Sequence, residues 1–114
     1  MLSSTRDFGR NTVGFGSKAP AAIATPEAIA TGPLWVSYIR IKAFRPTRAV
    51  NTGIVYLGIT TANDTQVYGL GVGEVLELYA DSGALIDASK IFVDAVTLTD
   101  GVVFSYVQPA NLDL

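Results

Sequence analysis

Hydrophobic and polar positions alternate most clearly over residues 35–42, where Trp35, Ser37, Ile39 and Ile41 fall on one side and Val36, Tyr38, Arg40 and Lys42 on the other. A period of two is that of a strand with one buried face. The spacing therefore predicts a core on the Ile39 and Ile41 side and leaves Tyr38, Arg40 and Lys42 to solvent or to a partner. Pro46 ends the pattern, because proline cannot continue a central ladder. Residues 51–79 then read as two or three strands punctuated by glycine: a β-branched and aromatic run over 54–59, a polar loop over 60–65, glycines at 69, 71 and 73, and a second apolar run over 75–79. Shorter runs follow at 84–86, 90–96 and 102–107, with turn residues at 81–83 and 99–101; Asp100-Gly101 signals a tight hairpin. Six or seven short strands with turns between them predict an all-β fold, a compact antiparallel β-sandwich or small jelly-roll-like barrel.

The first 33 residues behave differently. They carry no sustained period of 2 or 3.6, and 20 of them are Ala, Gly, Pro, Ser or Thr. This predicts an extended N-terminal arm over 1–32 and a β-sandwich domain over 33–114, with the body beginning at Pro33-Leu34. Phe8, Val13, Phe15 and Ile23 are spaced as separate plugs for a neighbouring surface, and Arg6, Arg10 and Lys18 add positive charge between them. The arm contacts expected from this are Arg6, Phe8, Arg10, Phe15, Lys18 and Ile23. Thr25-Pro26-Glu27, followed by Gly32, has the cap, first-turn proline and terminal glycine of one short helical turn, which would form only when packed.

Composition sharpens the interface reading. Only 16% of the 114 residues are charged and 49% are hydrophobic, against about 25% charged in an ordinary domain, so contiguous apolar surface is expected outside the core. Self-association into a homo-oligomer, a trimer, follows. Charge is divided unevenly: residues 1–50 hold seven bases and two acids (7 − 2 = +5), residues 51–114 hold Lys90 against eight acids (1 − 8 = −7), and the sum is −2. Such a split favours contact between copies or between a basic arm and an acidic surface.

The chain offers little chemistry. It has no cysteine and no histidine, which removes thiolate nucleophiles, sulfur ligands and the usual general base. Gly69, Gly71 and Gly73 precede a strand rather than joining a strand to a helix, so they are not a dinucleotide fingerprint. Glu74 and Glu77 are oddly spaced in a strand and point to opposite faces, which argues against a paired-carboxylate site. Asp81, Asp87 and Asn63-Asp64 lack the spacing of a calcium loop. Arg40, Lys42, Arg45 and Arg48, interleaved with Trp35, Tyr38 and Phe44, are the best case for nucleic acid, and the acidic second half opposes it. No apolar run approaches the length of a membrane span. The expectation is a protein with no catalytic residue, no cofactor and no metal.

The order within 51–79, an NTG strand, a glycine turn and Gly73-Glu74-Val75-Leu76-Glu77-Leu78, resembles small β-sandwich capsid decoration, or cement, proteins of tailed bacteriophages over about residues 50–107. The resemblance implies a structural virion protein, made in the host cytoplasm, that trimerises on the capsid surface, binds the major capsid protein and stabilises the head. The alternative it leaves open is a tail, neck or head-surface module for host attachment, with Tyr38, Tyr56, Tyr68 and Tyr79 as glycan-stacking side chains.

Overall fold

The computed structural model describes residues 11–62, 66–81 and 83–109. Ten strands are present among them: β1 (Thr12–Lys18), β2 (Glu27–Ala28), β3 (Trp35–Val36), β4 (Tyr38–Ala43), β5 (Val55–Gly58), β6 (Tyr68–Leu70), β7 (Val75–Tyr79), β8 (Ile86–Asp87), β9 (Phe92–Ala95) and β10 (Val102–Gln108), with one 3₁₀ turn at Ala88–Lys90. They form two four-stranded antiparallel sheets, β1-β10-β4-β7 and β2-β9-β5-β6, and a two-stranded β3-β8 ribbon. Ile39, Ile41, Ala43, Val102 and Phe104 of the first sheet and Val55, Leu57, Leu70, Val93 and Ala95 of the second make one buried core between them. The fold is an all-β sandwich.

Its strand order has a simple origin. With the short β3 and β8 set aside, the remaining eight strands pair first with last, second with second-last and so on inward: β1 with β10, β2 with β9, β4 with β7, β5 with β6. Wrapping that long antiparallel ribbon once brings β10 beside β4 and β9 beside β5. The result is the double Greek key of a jelly roll.

Several expectations are corrected by this arrangement. β1 and β2 lie inside the stretch read as an arm, yet β1 pairs along its whole length with β10, β2 pairs with β9, and Ile29 is part of the core. The body therefore starts well before Pro33. No helical turn forms at 25–32. Glu27 and Ala28 take ladder partners on β9, and the Glu27 carboxylate accepts from Ala21 N (3.0 Å) and pairs with Lys18 Nζ (2.8 Å); a turn that short cannot outweigh a sheet edge. The alternation over 35–42 changes phase at a bend at Ser37, so that Val36 rather than Trp35 is buried with Ile39 and Ile41. One irregular residue exchanges the two faces of a strand.

Asp100-Gly101 does not make a hairpin, because β9 and β10 belong to different sheets. Asp100 is fully buried and holds the β4–β5 loop. It accepts from Thr52 N (2.9 Å), Gly53 N (2.7 Å) and Arg45 Nε (3.0 Å), while Asn51 exchanges two hydrogen bonds with the Gly101 backbone. Desolvation pulls the Asp100 carboxyl up, and the Thr52 and Gly53 amides with Arg45 outweigh it, leaving it below its ordinary value.

Candidate functional site

Strand register decides which side chains meet on the outside of the first sheet. Residues paired across an antiparallel ladder share a face. With Ile39, Ile41, Val102 and Phe104 turned inward, the outward set forms three rows: Ser17, Val103, Lys42 and Val75; Phe15, Ser105, Arg40 and Glu77; Val13, Val107, Tyr38 and Tyr79. Phe15 is 79% exposed, Tyr79 70% and Val13 59%. This is an apolar sheet face carrying two bases and one acid.

β1 supplies its apolar side chains to this face because its inward positions are glycines. A Cβ at Gly14 would overlap the Tyr106 ring and one at Gly16 the Phe104 ring, so the two aromatic side chains of β10 lie across the β1 backbone in place of β1's own core residues. The strand is thus built inside out: Gly14 and Gly16 inward, Val13 and Phe15 outward.

Polar contacts hold the middle of the face in place. Tyr38 Oη donates to Glu77 Oε2 (2.7 Å), and this bond raises the Tyr38 hydroxyl above its ordinary value. Arg40 Nε lies 3.8 Å from the same carboxylate oxygen, and the Tyr38 and Tyr79 rings stand 5.0 Å apart, tilted at 50°. Lys42 Nζ sits 4.9 Å from the Phe44 ring centre. Between β1 and β4 the face is hollowed into an open groove of about 370 Å³, walled by Phe15, Arg40, Lys42, Val103 and Ser105.

The structure thus brings together Phe15, Tyr38, Arg40 and Lys42, which the sequence placed in two separate sets. It does not bring all of them. Lys18 is engaged with Glu27 at 2.8 Å, and Ile23 is exposed in the β1–β2 connection, away from the ladder rows. Arg6, Phe8 and Arg10 lie outside the described residues, as does Asn63-Asp64. Val13, read as a separate plug, and Tyr79, read as a stacking ring, lie on this face, Val103 and Val107 join it without having been singled out, and Glu77, set aside as half of a carboxylate pair, ties Tyr38 to Arg40. Period two along 102–107 was the signal that would have found Val103 and Val107.

Other candidate chemistry resolves into structure. The Glu74 carboxylate accepts from Gly71 N (2.7 Å) and closes the turn before β7, where Gly73 has φ +78°. Asp87 accepts from Leu34 N, Ser89 N and Ser89 Oγ; burial raises its carboxyl and these bonds more than reverse that. Among the described residues no group of three or more acidic side chains is placed to hold a metal ion, and no helix is long and apolar enough to cross a membrane. No protein family, characterised protein or solved structure matches the chain.

Proposed function

We propose that this chain is a structural, non-catalytic docking protein of a tailed-phage virion, a capsid decoration protein whose outer β1-β10-β4-β7 face binds the major capsid protein and stabilises the head, acting as a homotrimer on the capsid surface. The observation that carries the reading is that face: Val13, Phe15 and Tyr79 are exposed beside Arg40 and Lys42 on a four-stranded antiparallel sheet. An apolar patch with a few charges is the composition of a protein interface. Two further features support the phage setting: the resemblance over about residues 50–107, and the jelly-roll order, which is common in viral capsid domains. Fold alone does not fix function, so the setting rests on both together.

The test mixes purified protein with expanded phage heads and measures co-sedimentation and head survival on heating. The full chain should bind saturably and protect the shell; Phe15→Glu combined with Arg40→Glu and Lys42→Glu should remain folded and lose binding. A triple variant that binds as tightly as the parent overturns the face as the docking surface. Mass measurement on the heads' free partner tests the trimer. The Tyr38–Tyr79 pair on the same face, and the use of jelly rolls by lectins, favour a second reading, attachment to host glycans; a glycan array on the full chain separates the two, because a decoration protein shows no sugar preference.

A further inference from the structure

The second sheet holds a carboxylate with no structural explanation. Tyr56 of β5 and Asp94 of β9 are direct ladder partners, and both point away from the core, since their neighbours Val55, Leu57, Val93 and Ala95 are buried between the sheets. Asp94 is nevertheless only 8% exposed. It lines a cavity of about 280 Å³ together with Tyr56, Gln66 and Val96, and its Oδ1 has no hydrogen-bond partner. Gln66 is buried beside it and is held by its own amide, which donates to the Thr60 carbonyl and to Thr60 Oγ1 (3.2 Å).

Asp100 shows what this chain does with a buried aspartate that serves the fold: it surrounds it with two backbone amides and Arg45. Asp94 has none of these. The ion pairs formed among the described residues engage Glu27, Glu77 and Asp100, and none reaches Asp94. A buried acceptor without a donor is costly to the fold and is rarely left so. An aromatic ring and an unpaired carboxylate in one recess match a single chemistry: a cation that also donates hydrogen bonds.

We propose that the Tyr56–Gln66–Asp94 cavity is a binding site for an organic cation, a guanidinium or primary ammonium group, which donates to Asp94 Oδ1 and rests against the Tyr56 ring. The site is on the opposite sheet from the docking face, so it stands or falls independently of the capsid reading. A neutral polyol would satisfy Oδ1 without balancing its charge, and is an outcome the test distinguishes.

The test uses the full chain at low salt. Methylguanidinium and butylammonium are titrated while the amide and ring resonances of Tyr56, Asp94 and Val96 are followed, with urea and glycerol as neutral probes and a peptide of residues 1–11 as a polypeptide source of arginine. Saturable shifts confined to these residues with the cations and absent with urea and glycerol are expected. Asp94→Asn should weaken binding at least tenfold with the thermal transition retained, Tyr56→Leu should weaken it several-fold, and Glu77→Gln on the far sheet should leave it unchanged. Binding of the peptide more than tenfold tighter than methylguanidinium assigns the site to a side chain of a polypeptide; equal or weaker binding assigns it to a free cation. No saturable shift with either cation or with the peptide overturns the proposal, as does retention of affinity in Asp94→Asn or a preference for glycerol.

Discussion

β1 and β4 flank the same strand, β10, and are held to it in opposite ways. Their ladders are comparable, with seven partner positions for β1 and six for β4. Their side chains are not. β4 turns Ile39, Ile41 and Ala43 into the core with no exposure at all, whereas β1 turns Gly14 and Gly16 inward and leaves its apolar side chains, Val13 and Phe15, outside. Hydrogen bonding and burial are therefore separable properties of a strand: β4 belongs to the sheet through both, β1 through the first, with Phe104 and Tyr106 lying over its backbone. A strand that commits none of its own apolar side chains to its own core has them free for another surface, and that is the physical case for β1 as the docking element of the proposed function.

The comparison breaks first at Ile41. Ile41→Ala opens a cavity in a fully buried position and should cost about 2–5 kcal/mol of folding stability, read as a fall in the denaturant midpoint at unchanged slope. The matching change on β1, Phe15→Ala, should cost far less. If the two variants lose similar stability, β1 carries core energy and the contrast between the strands is wrong.

Next in size is Gly16→Ala. The added methyl falls on the Phe104 ring, which must swing away and disturb the packing beside Ile41; overpacking of this kind costs about 1–3 kcal/mol. Because the clash is between β1 and β10, amide exchange should quicken over residues 12–18 and stay slow in β4. Equal acceleration in both strands would mean that the sheet opens as one unit.

Acid should narrow the difference between the strands. Asp100 fastens the β4–β5 loop through Thr52, Gly53 and Arg45, and Phe44 N donates to the neighbouring Gly101 carbonyl at 3.1 Å, so this clasp secures the β4 side of β10. The folded-state carboxyl sits below its ordinary value. Its contribution is therefore complete above the unfolded value of about 3.9 and is lost as pH falls through the lower folded value; Asp87, depressed by Leu34 and Ser89, adds in the same direction. Stability measured from pH 6 down to pH 2 should drop below about pH 4, and Asp100→Asn should start lower and flatten that drop. A parent curve that is level through this range would contradict the assignment.

The same contrast explains what could be read from the amino-acid order. β4 was legible because burial and ladder agree in it: Ile39 and Ile41 alternate with Arg40 and Lys42, and only the bend at Ser37 hid the inward turn of Val36. β1 was not legible, because Gly14 and Gly16 erase the inward half of the alternation and the surviving Val13 and Phe15 look like isolated plugs; recognising it needs the Phe104 and Tyr106 rings, some ninety residues away in sequence. β2 was masked by a helix-start signal that tertiary pairing overrode. Asp100-Gly101 has the composition of a hairpin, and its burial under the β4–β5 loop depends on contacts about fifty residues apart. The outer face of the first sheet shows the same division: Tyr38, Arg40 and Lys42 were evident from one strand, while their union with Phe15 and Tyr79 required the register of three ladders.

The smallest effect on stability should accompany the largest effect on docking. Phe15 is 79% exposed and its inward neighbours are glycines, so Phe15→Ala removes almost no area that folding buried and should change stability by no more than about 0.5 kcal/mol. If the ring is what enters a pocket on the partner, the same substitution removes an anchor whose full burial is worth about 1.5–3 kcal/mol, which is roughly tenfold or more in affinity. Arg40→Ala and Lys42→Ala are expected to act mainly on the association rate and its salt dependence, since both bases line an open groove on the sheet's outer face. Measured side by side on the same heads, Phe15→Ala should raise the dissociation rate and the two basic variants should lower the association rate. If Phe15→Ala leaves both rates unchanged, the outward side chains of β1 are not the docking element, and the inside-out construction of that strand requires another explanation.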